Sequence, residues 1–311
     1  MTDTAVDKTD LTTRIINVLN NKGPMLGKEL VEELNLGTDY LPLWQACFQS
    51  QIFQISHFSR YYLRYDLGRE DLIRLSPSIL RDFLSFTLIA LPHQRSSVID
   101  RRILLSNRHM DISVRKLNLA RSILVGLGDL IDQTDIDKLC AFIAGDIAYY
   151  LGHDEPRECH SLGEMVNGSD IDIIIIHEDV LATETIAKID RYLSEQKYFF
   201  LKAPNYREEL DFIAKPVARF REQLAYETIQ DKIACKILYE SMFVYGSARL
   251  YMEISEELTT SGVRKLIDSD LAKGIVDRRE AIQKLLSSNP NDVTANEQSL
   301  FFFSQERVEF T

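Results

Sequence analysis

The chain has 311 residues, of which 45% are hydrophobic and 27% are charged. This length and this balance predict a folded protein of two or three domains and exclude a chain that is mostly disordered. The four cysteines form no C-x-x-C pair, which argues against a disulfide scaffold or a zinc ribbon. The apolar runs are too short to span a bilayer, and the first residues do not resemble a signal peptide. We therefore expect a cytoplasmic protein without membrane contact.

The net charge of −11 is unevenly distributed along the chain. Residues 60–121 contain 12 Lys and Arg against 6 Asp and Glu, whereas acidic residues predominate on both sides of this segment. A solvated helical face explains such a basic segment. The alternative is a contact surface for an acidic partner, either nucleic acid or protein.

The N-terminal segment, residues 10–67, is predicted to contain three short helices and then two strands. The first helix begins at Asp10, the second ends at Gly37, and the third has Pro42 in its first turn. The strands cover residues 52–58 and 61–65 and are predicted to form a hairpin around Ser59-Arg60. Three helices followed by a hairpin resemble a winged-helix domain.

The third helix is the one that would enter a DNA major groove, yet it contains no Lys or Arg between Gly37 and Gln51. Only Gln45, Gln49 and Gln51 could read base edges, and phosphate contacts normally need cations. We therefore expect weak or absent duplex binding by this domain, with any nucleic-acid affinity depending on residues 60–121. A protein-interaction or scaffolding role is the alternative for this domain.

Residues 68–135 are predicted to form a helical connector, with helices at Asp71–Leu75, Ser78–Ile89, Ser97–Leu105 and Ser113–Leu127. From residue 136 the pattern changes, and residues 136–225 are predicted to contain a mixed β-sheet. Its strands are expected at Leu139–Ala144, Ile171–Ile176, Tyr198–Leu201 and Glu209–Ala214, with helices at Asp146–Leu151 and Glu178–Gln196. Residues 226–311 are predicted to form a C-terminal helical region and tail. The expected fold class is therefore α+β.

The strongest local signal is the sequence Ser169-Asp170-Ile171-Asp172. Side chains alternate along a strand, so Asp170 and Asp172 project from the same side of the backbone, about 6–7 Å apart. Oxygen ligands at this spacing suit Mg²⁺ or Mn²⁺. A structural acidic pair at a loop edge and a Ca²⁺ site are the alternatives.

Three further features surround this pair in the sequence. Asp211 interrupts an apolar strand, where a carboxylate is costly unless it meets a cation or a donor. Gly145 joins a strand directly to a helix, an arrangement in which backbone N–H groups can meet a triphosphate. Lys232 and Lys236 share one helical face, which is either a solvated edge or a pair of cations for phosphates.

The order strand, glycine, helix, D-x-D and strand aspartate resembles the nucleotidyltransferase superfamily related to DNA polymerase β. Within it, the chain is most similar to the AbiEii-like nucleotidyltransferases, the toxins of type IV toxin–antitoxin systems. Residues 142–153 resemble their glycine turn and helix, Ser169 to Asp172 their S-x-D-x-D core, and residues 229–234 their lysine helix. The resemblance covers residues 142–252. The serine directly precedes the first aspartate, and Asp146 stands where the family has a small residue beside the phosphates.

The resemblance implies a Mg²⁺-dependent transfer of a nucleoside monophosphate from an NTP to an acceptor, with release of pyrophosphate. It implies that Asp170, Asp172 and Asp211 hold the metal ions and act in catalysis. Gly145, Ser169, Lys232 and Lys236 would bind the NTP. The acceptor stays open among RNA or tRNA, a protein and a small molecule. A non-enzymatic winged-helix regulator or scaffold with a degenerate nucleotidyltransferase domain is the rival hypothesis.

Overall fold

A computed structural model describes residues 8–38, 40–65, 73–159, 163–290 and 294–302. The helices are α1 (Lys8–Lys22), α2 (Gly27–Leu34), α3 (Tyr40–Gln49), α4 (Ile79–Phe86), α5 (Arg95–Val125), α6 (Gln133–Ile136), α7 (Gly145–Ala148), α8 (Thr183–Lys202), α9 (Val217–Gln223), α10 (Ile229–Glu240), α11 (Ala248–Thr260), α12 (Val263–Ser287) and α13 (Ala295–Phe301). The strands are β1 (Met25–Leu26), β2 (Gln54–His57), β3 (Tyr62–Tyr65), β4 (Ile73–Ser76), β5 (Thr87–Ala90), β6 (Leu139–Ala144), β7 (Pro156–Cys159), β8 (Glu164–Asn167), β9 (Ile171–His177), β10 (Leu210–Pro216) and β11 (Met242–Gly246). The α+β class is confirmed. Among the described residues, no helix is both long and apolar enough to cross a membrane.

The chain forms two compact units that are not contiguous in sequence. The first unit takes its described residues from 1–62, 74–107 and 274–311, and the second from 63–73 and 108–273. These limits differ from the four predicted segments, because the first half of the predicted connector belongs to the first unit and the second half to the second. The limits of the units fall within the strands β3 and β4 and within the long helices α5 and α12.

In the first unit, helices α1 to α3 pack on an antiparallel sheet of order β1-β5-β2. The core contains Ile15 of α1, the fully buried Trp44 of α3, and Phe83 of α4. Leu285 of α12 and Phe301 of α13 complete this core. The C-terminal helices are therefore part of the N-terminal unit.

The predicted hairpin between residues 52–58 and 61–65 is wrong, because its two strands do not pair with each other. β2 pairs with β5 and β3 pairs with β4. The predicted helix Ser78–Ile89 ends at Phe86, and Thr87–Ala90 is fully buried as the central strand β5. Thr87 and Ile89 are β-branched and favour a strand. The predicted helix Asp71–Leu75 is also wrong where the structure describes it, since Ile73–Ser76 is a strand.

In the second unit, a mixed four-stranded sheet has the order β10-β9-β6-β11, with β10 and β9 parallel and the other pairs antiparallel. β9 lies in the interior of this sheet, and its isoleucines are buried on both faces. Ile171, Ile173 and Ile175 pack with residues of α5 and α8, while α9 lies against β9 on the other face. A central strand apolar on both sides is what the isoleucine run predicts.

Three local predictions in this unit need correction. Tyr198–Leu201 is the last turn of α8 and not a strand, because Ile189, Leu193 and Phe200 continue one buried helical face. The loop predicted between residues 152 and 169 contains the hairpin of β7 and β8. The predicted helix Asp146–Leu151 is the single turn α7, which begins at Gly145.

Candidate metal centre

Three aspartates converge at one end of the sheet in the second unit. Asp172 of β9 and Asp211 of β10 are register partners on adjacent parallel strands. Asp170 precedes β9, two residues before Asp172, so it projects from the same side of the backbone. One carboxylate oxygen from each of the three lies within 4.8 Å of the other two. Strand alternation predicted the pairing of Asp170 with Asp172, the resemblance implied the place of Asp211, and the structure brings all three carboxylates together.

Gly145 brings the end of β6 to the same place. Ala144 is the register partner of Asp172, and the chain turns into α7 immediately afterwards with Gly145 at φ +70°. A Cβ on Gly145 would lie 2.8 Å from Oδ2 of Asp172. Both the left-handed backbone and the close approach therefore require glycine here. Because α7 is a single turn, it contributes little helix dipole.

Negative charge accumulates around these aspartates. Desolvation raises the pKa of Asp170, and the charges of Asp146 and Glu209 raise it further, whereas Arg157 lowers it. Protonation of such a cluster is one response to its repulsion, and binding of a cation is the other.

The same balance holds at Asp172. Desolvation raises the pKa of Asp172 well above its ordinary value, with Asp170, Asp211 and Asp146 adding to the shift. Lys236 is the cation of α10 whose charge lowers it. The upward shift of the pKa is thus larger at Asp172, the carboxylate beside Gly145, than at Asp170.

Two cations flank the aspartates without having been predicted. Arg157 of β7 contacts Glu209 Oε2 at 2.7 Å and Asp170 Oδ2 at 3.8 Å, and its Nε donates to the Gly168 carbonyl at 2.7 Å. Lys197 of α8 forms an ion pair with Asp211. Arg157 lies in a segment predicted as a loop, and Lys197 falls between the predicted helix Glu178–Gln196 and the predicted strand Tyr198–Leu201, so neither residue was singled out from the sequence.

The predicted phosphate-binding residues reach different surroundings. Lys236 is buried and pairs with Glu240 Oε2 at 2.6 Å, near Asp172. Lys232, one turn earlier, places its Nζ 5.5 Å from the ring centre of Tyr226. The two lysines predicted to act together therefore have separate contacts.

Ser169 is buried, and its hydroxyl is engaged within the protein. The hydroxyl donates to Asp146 Oδ2 at 3.2 Å and accepts from the His153 amide at 3.2 Å. The adjacent Gly168 adopts φ +63°, and a Cβ there would lie 1.9 Å from the His153 carbonyl oxygen. Ser169 thus anchors Asp146 and the loop before Asp170, and its predicted contact with a nucleotide stays a prediction.

Lys116 of α5 supports this loop from beneath. Its side chain is fully buried, its ammonium donates to the carbonyl oxygens of Asn167 and Ser169 at 2.7 Å each, and it pairs with the buried Glu208. Desolvation lowers the pKa of Lys116, although Glu208 opposes this shift. A sequence signal existed, because Lys116 stands four residues from both Ile112 and Ala120 on a buried helical stripe.

Of the three glutamines named as possible base readers, Gln45 is buried, whereas Gln49 and Gln51 are exposed. Gln45 is fully buried, and its Nε2 donates to the Leu285 carbonyl at 2.6 Å and to the Ser288 carbonyl at 3.0 Å. Gln49 donates to the Leu286 carbonyl. The side-chain Nε2 groups of both glutamines are therefore engaged within the first unit, which agrees with the expectation of weak or absent duplex binding, although that expectation stays a prediction.

No protein-family model, no curated protein and no solved structure matches this chain.

Proposed function

We propose that the second unit is a Mg²⁺-dependent nucleotidyltransferase, which transfers a nucleoside monophosphate from an NTP to an acceptor and releases pyrophosphate. The observation that carries this proposal is the convergence of Asp170, Asp172 and Asp211, with oxygen atoms within 4.8 Å of one another, beside the left-handed Gly145. The AbiEii-like resemblance stays part of this proposal.

The donor set fits a divalent cation. Carboxylate oxygens are the ligands that Mg²⁺ and Mn²⁺ prefer. Desolvation first, and then the charges of neighbouring carboxylates, raise the pKa values of Asp170 and Asp172, and a bound cation would counter both effects. Asp170, Asp172 and Asp211 would hold the metal. A bound Mg²⁺ offsets phosphate charge and favours deprotonation of an acceptor hydroxyl.

The surrounding residues orient the carboxylates and the substrate. Gly145 leaves room at Asp172, and Lys116 fixes the backbone that carries Asp170. Lys236 is the cation of α10 nearest the aspartates and is the better placed of the two lysines to attract a phosphate. Asp211, on the neighbouring strand, would accept a proton from the acceptor or favour its loss.

For the first unit we propose a winged-helix relative with a long insertion between β2 and β5. Three helices and a three-stranded antiparallel sheet support this assignment. Because α12 engages Gln45 and Gln49, we propose that the unit acts in protein interaction or scaffolding and does not read DNA through α3.

A second candidate function is a non-enzymatic regulator or scaffold with a degenerate site. Asp146 favours it, because its charge raises the pKa of both Asp170 and Asp172 and would repel a triphosphate.

Incubation with Mg²⁺, each α-labelled NTP in turn and a crude extract tests the two candidates together. The nucleotidyltransferase predicts label in RNA, protein or a small molecule, with loss of the label in Asp172→Asn and retention in Asp190→Asn, which removes an exposed aspartate of α8. Absence of transfer with all four NTPs in both Mg²⁺ and Mn²⁺ would support the regulator.

A further inference from the structure

Residues 197–207, which span the end of α8 and the following turn, have an unusual composition. In a chain of net charge −11, this segment contains Lys197, Lys202 and Arg207 and no acidic residue. It also contains four aromatic residues, namely Tyr198, Phe199, Phe200 and Tyr206. The next residue, Glu208, is buried against Lys116 and does not offset this positive charge at the surface.

Three of the aromatic rings are exposed although rings of this size are usually buried. Tyr198 is 63% exposed, Phe199 53% and Tyr206 42%. We call Tyr198, Phe199, Lys202, Tyr206 and Arg207 the aromatic–basic surface. Its five members lie within the second unit.

The rings of this surface are held in place from below. The buried Phe200 contacts Phe199 edge-on at 5.0 Å between ring centres and contacts Tyr206 edge-on at 4.8 Å. Phe199 and Tyr206 lie 6.3 Å apart with their planes tilted by 50°. The exposed rings of Phe199 and Tyr206 are therefore supported by packing, so ordering them on binding would cost little side-chain entropy.

The aromatic–basic surface is connected to the segments that carry Asp170 and Asp211. Lys197, one residue before Tyr198, forms the ion pair with Asp211. The side-chain amide of Asn167 donates to the Tyr206 carbonyl at 2.7 Å, and its backbone amide donates to the Arg207 carbonyl at 2.8 Å. Asn167 lies three residues before Asp170, so both ends of the surface connect directly to the segments that carry the aspartates.

We infer that the aromatic–basic surface binds single-stranded nucleic acid. Exposed aromatic faces stack on unpaired bases, and the neighbouring cations attract the phosphates. A duplex hides the faces of its bases within the helical stack, so it lacks the group that these rings recognise. The role of the bound strand rests on the proposed transferase function. If that function holds, the surface presents the end of an acceptor strand to the aspartates.

The first test measures binding of the full chain to labelled single strands of about 12 nucleotides by fluorescence anisotropy, in EDTA and without NTP. RNA and DNA strands form separate arms, and the matching duplexes form a third. We expect Phe199→Ala and Tyr206→Ala each to weaken single-strand binding about fivefold or more. Tyr206→Phe, which keeps the ring, should bind as the wild type does. Met252→Ala, which removes a 67% exposed side chain of α11, is the matched control.

The second test separates stacking from charge. The affinity falls as salt rises, so a plot of log affinity against log salt has a negative slope. Lys202→Gln and Arg207→Gln should each make this slope less steep by about 0.7 for each phosphate that the substituted side chain no longer neutralises. Lys273→Gln, which changes an exposed lysine of α12, should leave the slope as it is in the wild type.

Three outcomes would overturn the inference: no binding to either single strand, equal binding to duplex and single strand, or unchanged binding in the Phe199→Ala/Tyr206→Ala double variant. Binding to only one of the two strands supports it and identifies the sugar. Failure of the transferase proposal is distinguishable, because the wild type would then bind the strands and transfer no label. Wild-type transfer to RNA without strand binding would overturn the surface alone.

Discussion

Asp82 in the first unit and Asp172 in the second are both carboxylates packed beside a sheet, yet their surroundings are opposite. Asp82 accepts hydrogen bonds from the hydroxyls of Ser59 at 2.7 Å and Tyr61 at 2.8 Å, and from the Arg278 guanidinium at 3.1 Å. Although burial alone would raise it, hydrogen bonding to His57 and the charge of Arg278 hold the pKa of Asp82 below its ordinary value.

Asp172 is surrounded by carboxylates instead. Desolvation and the charges of Asp170, Asp211 and Asp146 raise its pKa, and the opposing cation is Lys236. The comparison separates two uses of an acidic residue. Asp82 connects several elements of the first unit and stabilises the fold. The carboxylates around Asp172 repel one another, which weakens the fold and favours binding of a cation.

The largest expected effect is the loss of stability on removal of Asp82. Asp82→Ala leaves the Arg278 guanidinium, only 10% exposed, without its carboxylate, and breaking such a buried pair costs about 3–5 kcal/mol of unfolding free energy. Thermal and denaturant unfolding of the purified chain measure this loss. Asp100→Ala removes an exposed aspartate of the same unit and should change stability by no more than about 0.5 kcal/mol. A variant as stable as the wild type would contradict the structural role.

Neutralising Asp170 or Asp172 in the second unit should have the opposite effect on stability. Asp170→Asn and Asp172→Asn relieve repulsion, so the metal-free protein should melt at the same temperature as the wild type or higher. Each should abolish the increase in melting temperature that Mg²⁺ gives the wild type and reduce transfer at least about a hundredfold. Asp211→Asn should impair transfer similarly with a smaller loss of metal affinity.

Two results would refute the assignment of these aspartates: transfer that survives in both Asp170→Asn and Asp172→Asn, or unfolding of the metal-free protein by either substitution. The second result would make the pair structural, as Asp82 is.

A third change tests the close approach at Asp172. Gly145→Ala should cost about 1–2 kcal/mol through its left-handed backbone and should also displace the Asp172 carboxylate, which lies 2.8 Å from the added Cβ. Gly262→Ala is the matched control, because Gly262 has φ +84° and nothing within 4 Å of its Cβ position. Both variants should melt lower, and only Gly145→Ala should lose the Mg²⁺-induced shift. Equal Mg²⁺ shifts in the two would contradict the geometry.

The smallest expected effect is on the pH dependence of stability. Because the pKa values of Asp170 and Asp172 are raised in the folded state, stability should fall as pH rises from the ordinary aspartate pKa, about 3.9, through the raised values. The lowered pKa of Asp82 has the opposite sign, and its stabilisation is lost as pH falls through that value. Melting temperatures measured in EDTA across this range should decline less steeply in Asp172→Asn. An unchanged decline would contradict the assigned repulsion.

Local periodicity predicted the second unit better than the first. β6 has the predicted bounds, Leu139–Ala144, and β9 extends the predicted Ile171–Ile176 by one residue. Strand alternation predicted that Asp170 and Asp172 share one side of the backbone, whereas the place of Asp211 beside them was implied by the resemblance.

The failures share a non-local cause. The partner of β2 is β5, which lies beyond β3, β4 and α4 in the chain, so no short window of sequence contains that pairing. The contacts of Lys116 are likewise distant, since its bonds reach residues 51, 53 and 92 positions away. Arg157 comes to Asp170 through a hairpin that the sequence does not indicate. Charge pairing across such distances depends on the completed fold.

The contribution of α12 and α13 to the first core has a consequence for biosynthesis. Gln45 and Leu285 are 240 positions apart, so α3 leaves the ribosome long before the helix that covers it has been made. The described residues of the second unit are complete by residue 273, and this unit can fold while the first still exposes Trp44. A nascent chain stopped before α12 should therefore recruit chaperones through its earliest segment, and a C-terminal deletion should act as a lesion of the N-terminal unit.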